Sequence, residues 1–282
     1  MFEVKTLKDN VFLFQSSYWQ LNSGCVRDKE GWAVIDPGFS PAEMERIRDF
    51  VGEKGENEKG YLIYTHSDFD HITGEPYFPQ AKKVAQSNFE LCSKDKQVAH
   101  IKEADEVHQL ERPEFIFPSP DITFDEKLDL ELKEETISLI AAPGHTRDSL
   151  FVILKNKGVM FSGDTLSNIE FPLIFFSGEK YLETLKMAEC LIDRYDIRCV
   201  VPGHGSDAQG KKEILKRIKD DQQYLNDLMG QIEDFFYMGL ATMEIKSVLR
   251  EVRYRGDYIG AELMPVHEKN IELAINEVGD NL

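Results

Sequence analysis

The stretch Tyr61-Leu62-Ile63-Tyr64-Thr65-His66-Ser67-Asp68-Phe69-Asp70-His71 constrains the fold more than any other part of the chain. An apolar, β-prone run stops there, and His66, Asp68, Asp70 and His71 follow within six residues. A strand end holds its backbone still, and a short polar turn after it can aim all four side chains at one point. Imidazole nitrogen and carboxylate oxygen are ligands that zinc, iron and manganese accept. A lone His-X-Asp reads better as a solvated loop. Four ligands this close together read as a buried strand emptying into a metal site.

The arrangement recurs downstream. Strands predicted at 137–141, 158–161 and 197–201 lead into Pro143-Gly144-His145-Thr146, Gly163-Asp164-Thr165 and Pro202-Gly203-His204-Gly205. Each time a glycine precedes a histidine or aspartate, and glycine lets the backbone turn sharply enough for the next side chain to face a shared cleft. One Gly-His after a strand would mean little; the recurrence carries the weight. Asp36-Pro37-Gly38 ends an earlier strand, and Asp36 suits either the first position of a turn or a carboxylate that orients a ligand.

The remaining pattern frames these turns. Residues 2–36 read as an antiparallel meander with strands at 11–14, 19–26 and 31–35. Ser40-Pro41 starts a helix that should end near Gly52 or Gly55. Asp70 to Gly74 reads as the entry to a short helix, followed by a strand at 82–85 and a helix at 86–96. Residues 100–117 show no period, and His100 and His108 read as surface histidines. A strand at 149–154 and a helix at 180–194 follow. From Gln209 the pattern is helical, at 211–229, 231–237, 241–252 and 267–278, with Ile214, Ile218, Leu225 and Leu228 spaced for packing. The expected division is a sandwich domain over 1–208 and a helical segment over 209–282 packed on it. His267, near the start of the last helix, reads as a surface residue.

Composition narrows the partners. With 33 lysines and arginines against 51 aspartates and glutamates, the chain carries a net charge of −18. Such a field repels phosphate backbones and anionic membrane surfaces, so neither nucleic acid nor membrane is an expected partner. Cys25, Cys92, Cys190 and Cys199 show no CxxC spacing and give no disulfide framework. The N-terminal Met1-Phe2-Glu3-Val4-Lys5 lacks a leader pattern, no run is long and apolar enough to span a membrane, and a cytoplasmic location is the default expectation.

Taken in order, Asp36-Pro37-Gly38, Thr65-His66-X-Asp68-X-Asp70-His71, Pro143-Gly144-His145-Thr146, Gly163-Asp164-Thr165 and Pro202-Gly203-His204-Gly205 resemble the five motifs of the metallo-β-lactamase superfamily. The resemblance covers roughly residues 1–206. It implies an α+β fold, a four-layer αββα sandwich with a C-terminal helical appendage, and a dinuclear centre of two divalent ions, zinc or iron with manganese as a further choice. His66, Asp68 and His145 would hold the first metal and Asp70, His71 and His204 the second, with Asp164 bridging. Position 68 departs from the usual His-X-His-X-Asp-His. The flavodiiron proteins of the same superfamily carry a carboxylate there, usually glutamate, which is one methylene longer than aspartate. Three aspartates and a hydroxide neutralise two divalent ions, and a harder, less positive site shifts preference toward iron or manganese.

The function implied is hydrolysis of a small-molecule ester, thioester or lactone by a bridging hydroxide, which Asp70 would orient or relieve of its proton. The helical tail resembles those that cover the cleft of glyoxalase II-like hydrolases. The alternative is a di-iron protein that binds or reduces oxygen or nitric oxide; lacking a flavodoxin domain, it would need a separate redox partner. A third class is a non-catalytic sensor on the same scaffold. Phe171-Pro172-Leu173-Ile174-Phe175-Phe176 reads equally as a substrate wall, a core strand or a homodimer contact.

Overall fold

The computed structural model describes residues 3–29, 31–52 and 59–280. Met1, Phe2 and the expected helix limit at Gly55 lie outside them. Two sheets form the centre. In the first, β1 (Glu3–Lys8), β2 (Val11–Gln15), β3 (Asn22–Arg27) and β4 (Gly31–Ile35) make an antiparallel meander, and β5 (Lys59–Ile63), β6 (Lys82–Gln86) and β7 (Ile122–Phe124) extend it in parallel. In the second, β8 (Lys127–Glu131), β9 (Thr136–Ala141), β10 (Leu150–Leu154) and β11 (Val159–Phe161) are antiparallel. There β12 (Cys199–Val201) pairs parallel with β11 and antiparallel with β13 (Ala208–Gln209).

Side-chain alternation explains the layers. In β10, Leu150, Val152 and Leu154 face the first sheet, joining Val11, Leu13, Ala33, Ile35 and Ile63 in an inter-sheet core. Phe151 and Ile153 point the other way, into a second core with α3 (Gly178–Arg194), α4 (Lys211–Tyr237), α5 (Thr242–Leu249) and α6 (Met264–Asp280). A strand buried on both faces reads as a continuous apolar run. On the far side, α1 (Pro41–Val51) lays Ile47 and Val51 against Phe14, Val34 and Leu62. The result is the αββα order expected. Ser40 caps α1, its hydroxyl accepting from Glu43 N while Glu43 reaches back to the Ser40 N–H. No described helix is long and apolar enough to cross a membrane.

Several elements differ from expectation. Residues 100–108 belong to α2 (Lys94–His108), which buries only Gln97, Ile101 and Ala104 and so shows no apolar stripe in its sequence. Residues 70–74, expected to lead into a short helix, form turns, and the helical segment that follows is only a 3-10 turn at Glu75–Tyr77. The helix expected from 86 is a 3-10 turn over Ser87–Leu91 ahead of α2. The helices expected at 211–229 and 231–237 are one, because Leu228 and Ile232 are both buried and hold the backbone helical through Gly230.

Candidate metal centre

The ligand-bearing turns meet where the two sheets touch along one edge. Leu150 N donates to Thr65 O at 2.9 Å, Asn22 N to Gly203 O at 2.7 Å and Gly203 N to Gly163 O at 2.7 Å. The turn after β5 is thereby fixed to the start of β10, and the turn after β12 to β3 and to the turn after β11. Two glycines permit this for different reasons. Gly163 is left-handed, with φ +55°, while at Gly203 a β-carbon would collide with Asp164 Oδ1.

All seven candidate ligands converge. His66, Asp68, His145 and Asp164 form one group and Asp70, His71 and His204 a second. In the first, His145 Nε2 is 3.3 Å and His66 Nε2 3.6 Å from Asp68 Oδ2, and both are 3.7 Å from Asp164 Oδ2. In the second, His204 Nε2 is 3.2 Å and His71 Nε2 3.8 Å from the Asp70 carboxylate. Asp164 faces this group as well, 3.2 Å from His71 Nε2 and 3.5 Å from His204 Nε2. Ligand atoms about 2.0–2.1 Å from one tetrahedral ion stand roughly 3.4 Å apart, the spacing seen here.

The outer nitrogens show which lone pairs are offered. His145 Nδ1 donates to Leu173 O at 2.8 Å and His204 Nδ1 to Trp19 O at 3.0 Å. Carbonyl oxygens only accept, so Nδ1 of each ring carries a proton and Nε2 is the nitrogen turned inward, where a bound metal would replace any proton on it. Thr65 Oγ1 donates to Asp36 Oδ2 at 2.7 Å and sits 3.0 Å from His66 Nδ1, giving His66 the same tautomer. His71 Nδ1 lies 3.1 Å from Asp36 Oδ2, at an angle short of a formed hydrogen bond. Asp36 is therefore the orienting carboxylate of its two readings.

His66 Nε2, His71 Nε2 and Asp164 Oδ1 are buried without a hydrogen-bond partner. Lone pairs facing carboxylates repel unless positive charge lies between them. Burial opposes charging His66 and His204, yet the Asp164 carboxylate outweighs it and holds both well above the ordinary histidine range. His71, under the same opposition, is raised to about 9. Burial would raise Asp70 and Asp164, but the imidazoles keep both below the usual carboxylate range. The cage draws in positive charge, and a divalent cation satisfies the same field. The donor set and its orphaned atoms fit metal.

Other residues complete the surroundings. Gln97 Nε2 donates to Asp68 Oδ1 at 3.2 Å, a role that nothing in the sequence of α2 reveals. Glu170 faces the cage; burial and then the nearby Asp164 and Asp70 charges push it up, against His204. Phe171 and Ile174 of the aromatic run are core, whereas Phe175 and Phe176 line a cavity of about 700 Å³ beside Asp68. His100 and His108 are half-buried, not free at the surface: His100 packs on Phe69 and His108 on Trp19 and Tyr18. His267 corrects the expectation outright. It is fully buried, its Nε2 donating to Leu249 O at 3.0 Å and its Nδ1 accepting from the Tyr224 hydroxyl at 2.8 Å. Helix α6 begins a turn earlier than expected, at Met264, so His267 lies inside it, on the face it buries with Asn270, Ile271 and Ala274.

Face-to-face sheets, helices outside and a cage of histidines and aspartates at the strand ends define an αββα protein built to hold metal ions. The family model for the metallo-beta-lactamase superfamily matches residues 18–219, and the chain belongs to that superfamily. A probable metallo-hydrolase of Methanocaldococcus jannaschii is 27% identical over 190 residues, 61% of this chain and 82% of the relative. An acyl-coenzyme A thioesterase of Homo sapiens is 25% identical over 230 residues, 71% of this chain and 80% of the relative. Among solved structures, a metallo-beta-lactamase from Pontibacter korlensis aligns with a TM-score of 0.57 at 17% identity, over 79% of this chain and 99% of its own. A sec-alkylsulfatase from Pseudomonas sp. reaches 0.72 at 11% identity, over 98% of this chain and 50% of its own. At these identities the two structures speak for the fold alone.

Proposed function

We propose that the chain is a metal-dependent hydrolase of esters, thioesters or lactone-type substrates. The observation that carries this reading is the convergence of seven ligands, with inward-facing Nε2 atoms, beside a cavity large enough for a small molecule. Similarity to the human thioesterase supports an acyl substrate. His66, Asp68, His145 and Asp164 would hold one ion and Asp70, His71 and His204 a second, with Asp164 facing both. Divalent ions bound there lower the pKa of water toward neutrality and polarise a carbonyl oxygen. Asp70, kept ionised by His71 and His204, would orient the attacking water and accept its proton. The acyl carbon gains hydroxyl, its bond to sulfur or oxygen breaks, and the proton passes to the leaving thiol or alcohol. Phe175, 5.0 Å from His145 between ring centres, shields one side of the cage from water.

The test is metal analysis of protein purified without added metal, with an optical spectrum taken before and after exposure to air. About two zinc or manganese ions per chain, a featureless spectrum and chelator-sensitive ester or thioester hydrolysis are expected. His145→Ala and His204→Ala should each lower metal content; full content in both would sink the ligand assignment. Asp68 inside the cage, where most of the superfamily carries histidine, favours one second reading, the di-iron protein. About two irons per chain and an oxygen-sensitive visible band would move that reading to first place.

A further inference from the structure

The cavity beside Asp68 joins two chemistries. Phe175, Phe176 and Leu273 give it apolar wall, while Lys96 from α2, Arg147 from the turn after His145 and Lys269 from α6 give it positive charge. Acidic residues outnumber basic ones across this chain, 51 to 33, so three cations from three separate elements around one cavity run against the composition. All three are solvent-exposed, and among the described residues none makes an ion pair. The Arg147 guanidinium stacks on Phe176, 4.7 Å from the ring centre, so its planar fork is held in place before any ligand arrives. Of the carboxylates on the same wall, Asp68 faces the cage and Glu272 accepts from Lys246 at 2.7 Å, while Asp148 is buried with its Oδ2 unpartnered.

Resting on the hydrolase reading, we propose that the substrate is an amphiphilic ester or thioester carrying an oxyanion, phosphate or carboxylate, away from the scissile bond. Arg147, with Lys96 and Lys269, binds the oxyanion, and the apolar arm lies along Phe175, Phe176 and Leu273. Guanidinium and ammonium groups recognise either oxyanion by charge-assisted hydrogen bonds.

Three thioesters tested on the metal-loaded protein separate the sources: butanoyl-coenzyme A, with phosphates on the leaving group; the glutaryl thioester of N-acetylcysteamine, with a carboxylate on the acyl group; and the neutral butanoyl thioester of N-acetylcysteamine. One charged thioester is expected to exceed the neutral one in kcat/KM by about tenfold or more at low ionic strength, and the winner identifies the oxyanion. Arg147→Gln should cut that ratio about tenfold, mainly through KM, whereas Lys102→Gln, on an exposed part of α2 outside the cavity, should leave it unchanged. Equal rates for charged and neutral thioesters, or an Arg147→Gln loss that is the same for both, overturns the proposal while leaving the hydrolase reading intact. If no thioester is cleaved, calorimetric titration with the thioether S-butyl-coenzyme A and with S-(4-carboxybutyl)-N-acetylcysteamine decides. Binding weakened by Arg147→Gln keeps the oxyanion site and takes these thioesters out of the hydrolase reading; binding of neither, or binding that Arg147→Gln leaves unchanged, sinks the proposal.

Discussion

Asp36 and Asp221 are both buried carboxylates, and their surroundings set them to different work. Asp36 accepts from Thr65 N at 2.8 Å and from Thr65 Oγ1 at 2.7 Å, and so steadies the turn that carries His66. Asp221, inside α4, receives the Tyr254 hydroxyl at 2.6 Å, and burial pushes its pKa up to about 7. Its unfolded-state value is near 3.9, so between roughly pH 4 and 7 the folded chain binds the proton more tightly than the unfolded one. The stability this lends is full below about pH 4 and is lost as pH rises through 7, with a slope of up to about 1.4 kcal/mol per unit. Asp221→Asn keeps an acceptor for Tyr254 and removes the ionisation. Urea unfolding at pH 5 and pH 8 should show the variant gaining on the parent chain by roughly 1 kcal/mol or more at the higher pH. An equal difference at both pH values would show that Asp221 is ionised in the folded state throughout.

The elements legible in the sequence were those with an apolar period and a turn at the end, β4, β5, β9 to β12 and α3 among them. Their candidate ligands were legible for the same reason, since each stands beside a turn that must be small or sharply bent. What sequence could not show is what holds the outer face of each imidazole. His145 leans on Leu173 O and His204 on Trp19 O, and a backbone carbonyl from a distant loop leaves no mark in composition. The short strands β7 and β8, of mixed polarity, and α2, with little buried surface, fell below any period. Helix α6 shows how far such support reaches. Asn270 Oδ1 accepts from Ile174 N at 2.8 Å, and its Nδ2 donates to Pro172 O at 2.7 Å, on either side of the Leu173 carbonyl that holds His145. Asn270→Leu should leave those two buried backbone groups unpaired, at roughly 1–3 kcal/mol each, and lower the Tm. Zinc affinity, measured by competition with a chelator, should fall about 10- to 100-fold as His145 loses its fixed orientation. A lower Tm with unchanged zinc affinity would mean that the Phe175 N to His145 O hydrogen bond, at 2.8 Å, holds the loop without α6.

Across the whole molecule, the division near residue 208 asks whether α4, α5 and α6 are an addition to the sandwich or part of its fourth layer. They cover the outer face of the second sheet with α3, burying Phe151, Ile153, Met160 and Val200. Those side chains are worth roughly 1.5–3 kcal/mol each, about 6–12 kcal/mol together, against a typical total stability of about 5–15 kcal/mol. Helix α4 also braces the site. Arg217 Nη1 donates to Leu166 O at 3.2 Å and to Ser206 O at 2.7 Å, joining the turn of Asp164 to the turn of His204. We therefore propose that the helices are a separate segment in sequence only. A chain ending at Gln209 should lose cooperative thermal unfolding, bind a hydrophobic dye, and fail to retain zinc through gel filtration, because both the core and the brace are gone. A truncated chain that melts cooperatively and keeps its metal would instead make the helices an appendage on an independent domain, acting only through the cavity wall that Lys269 and Leu273 supply.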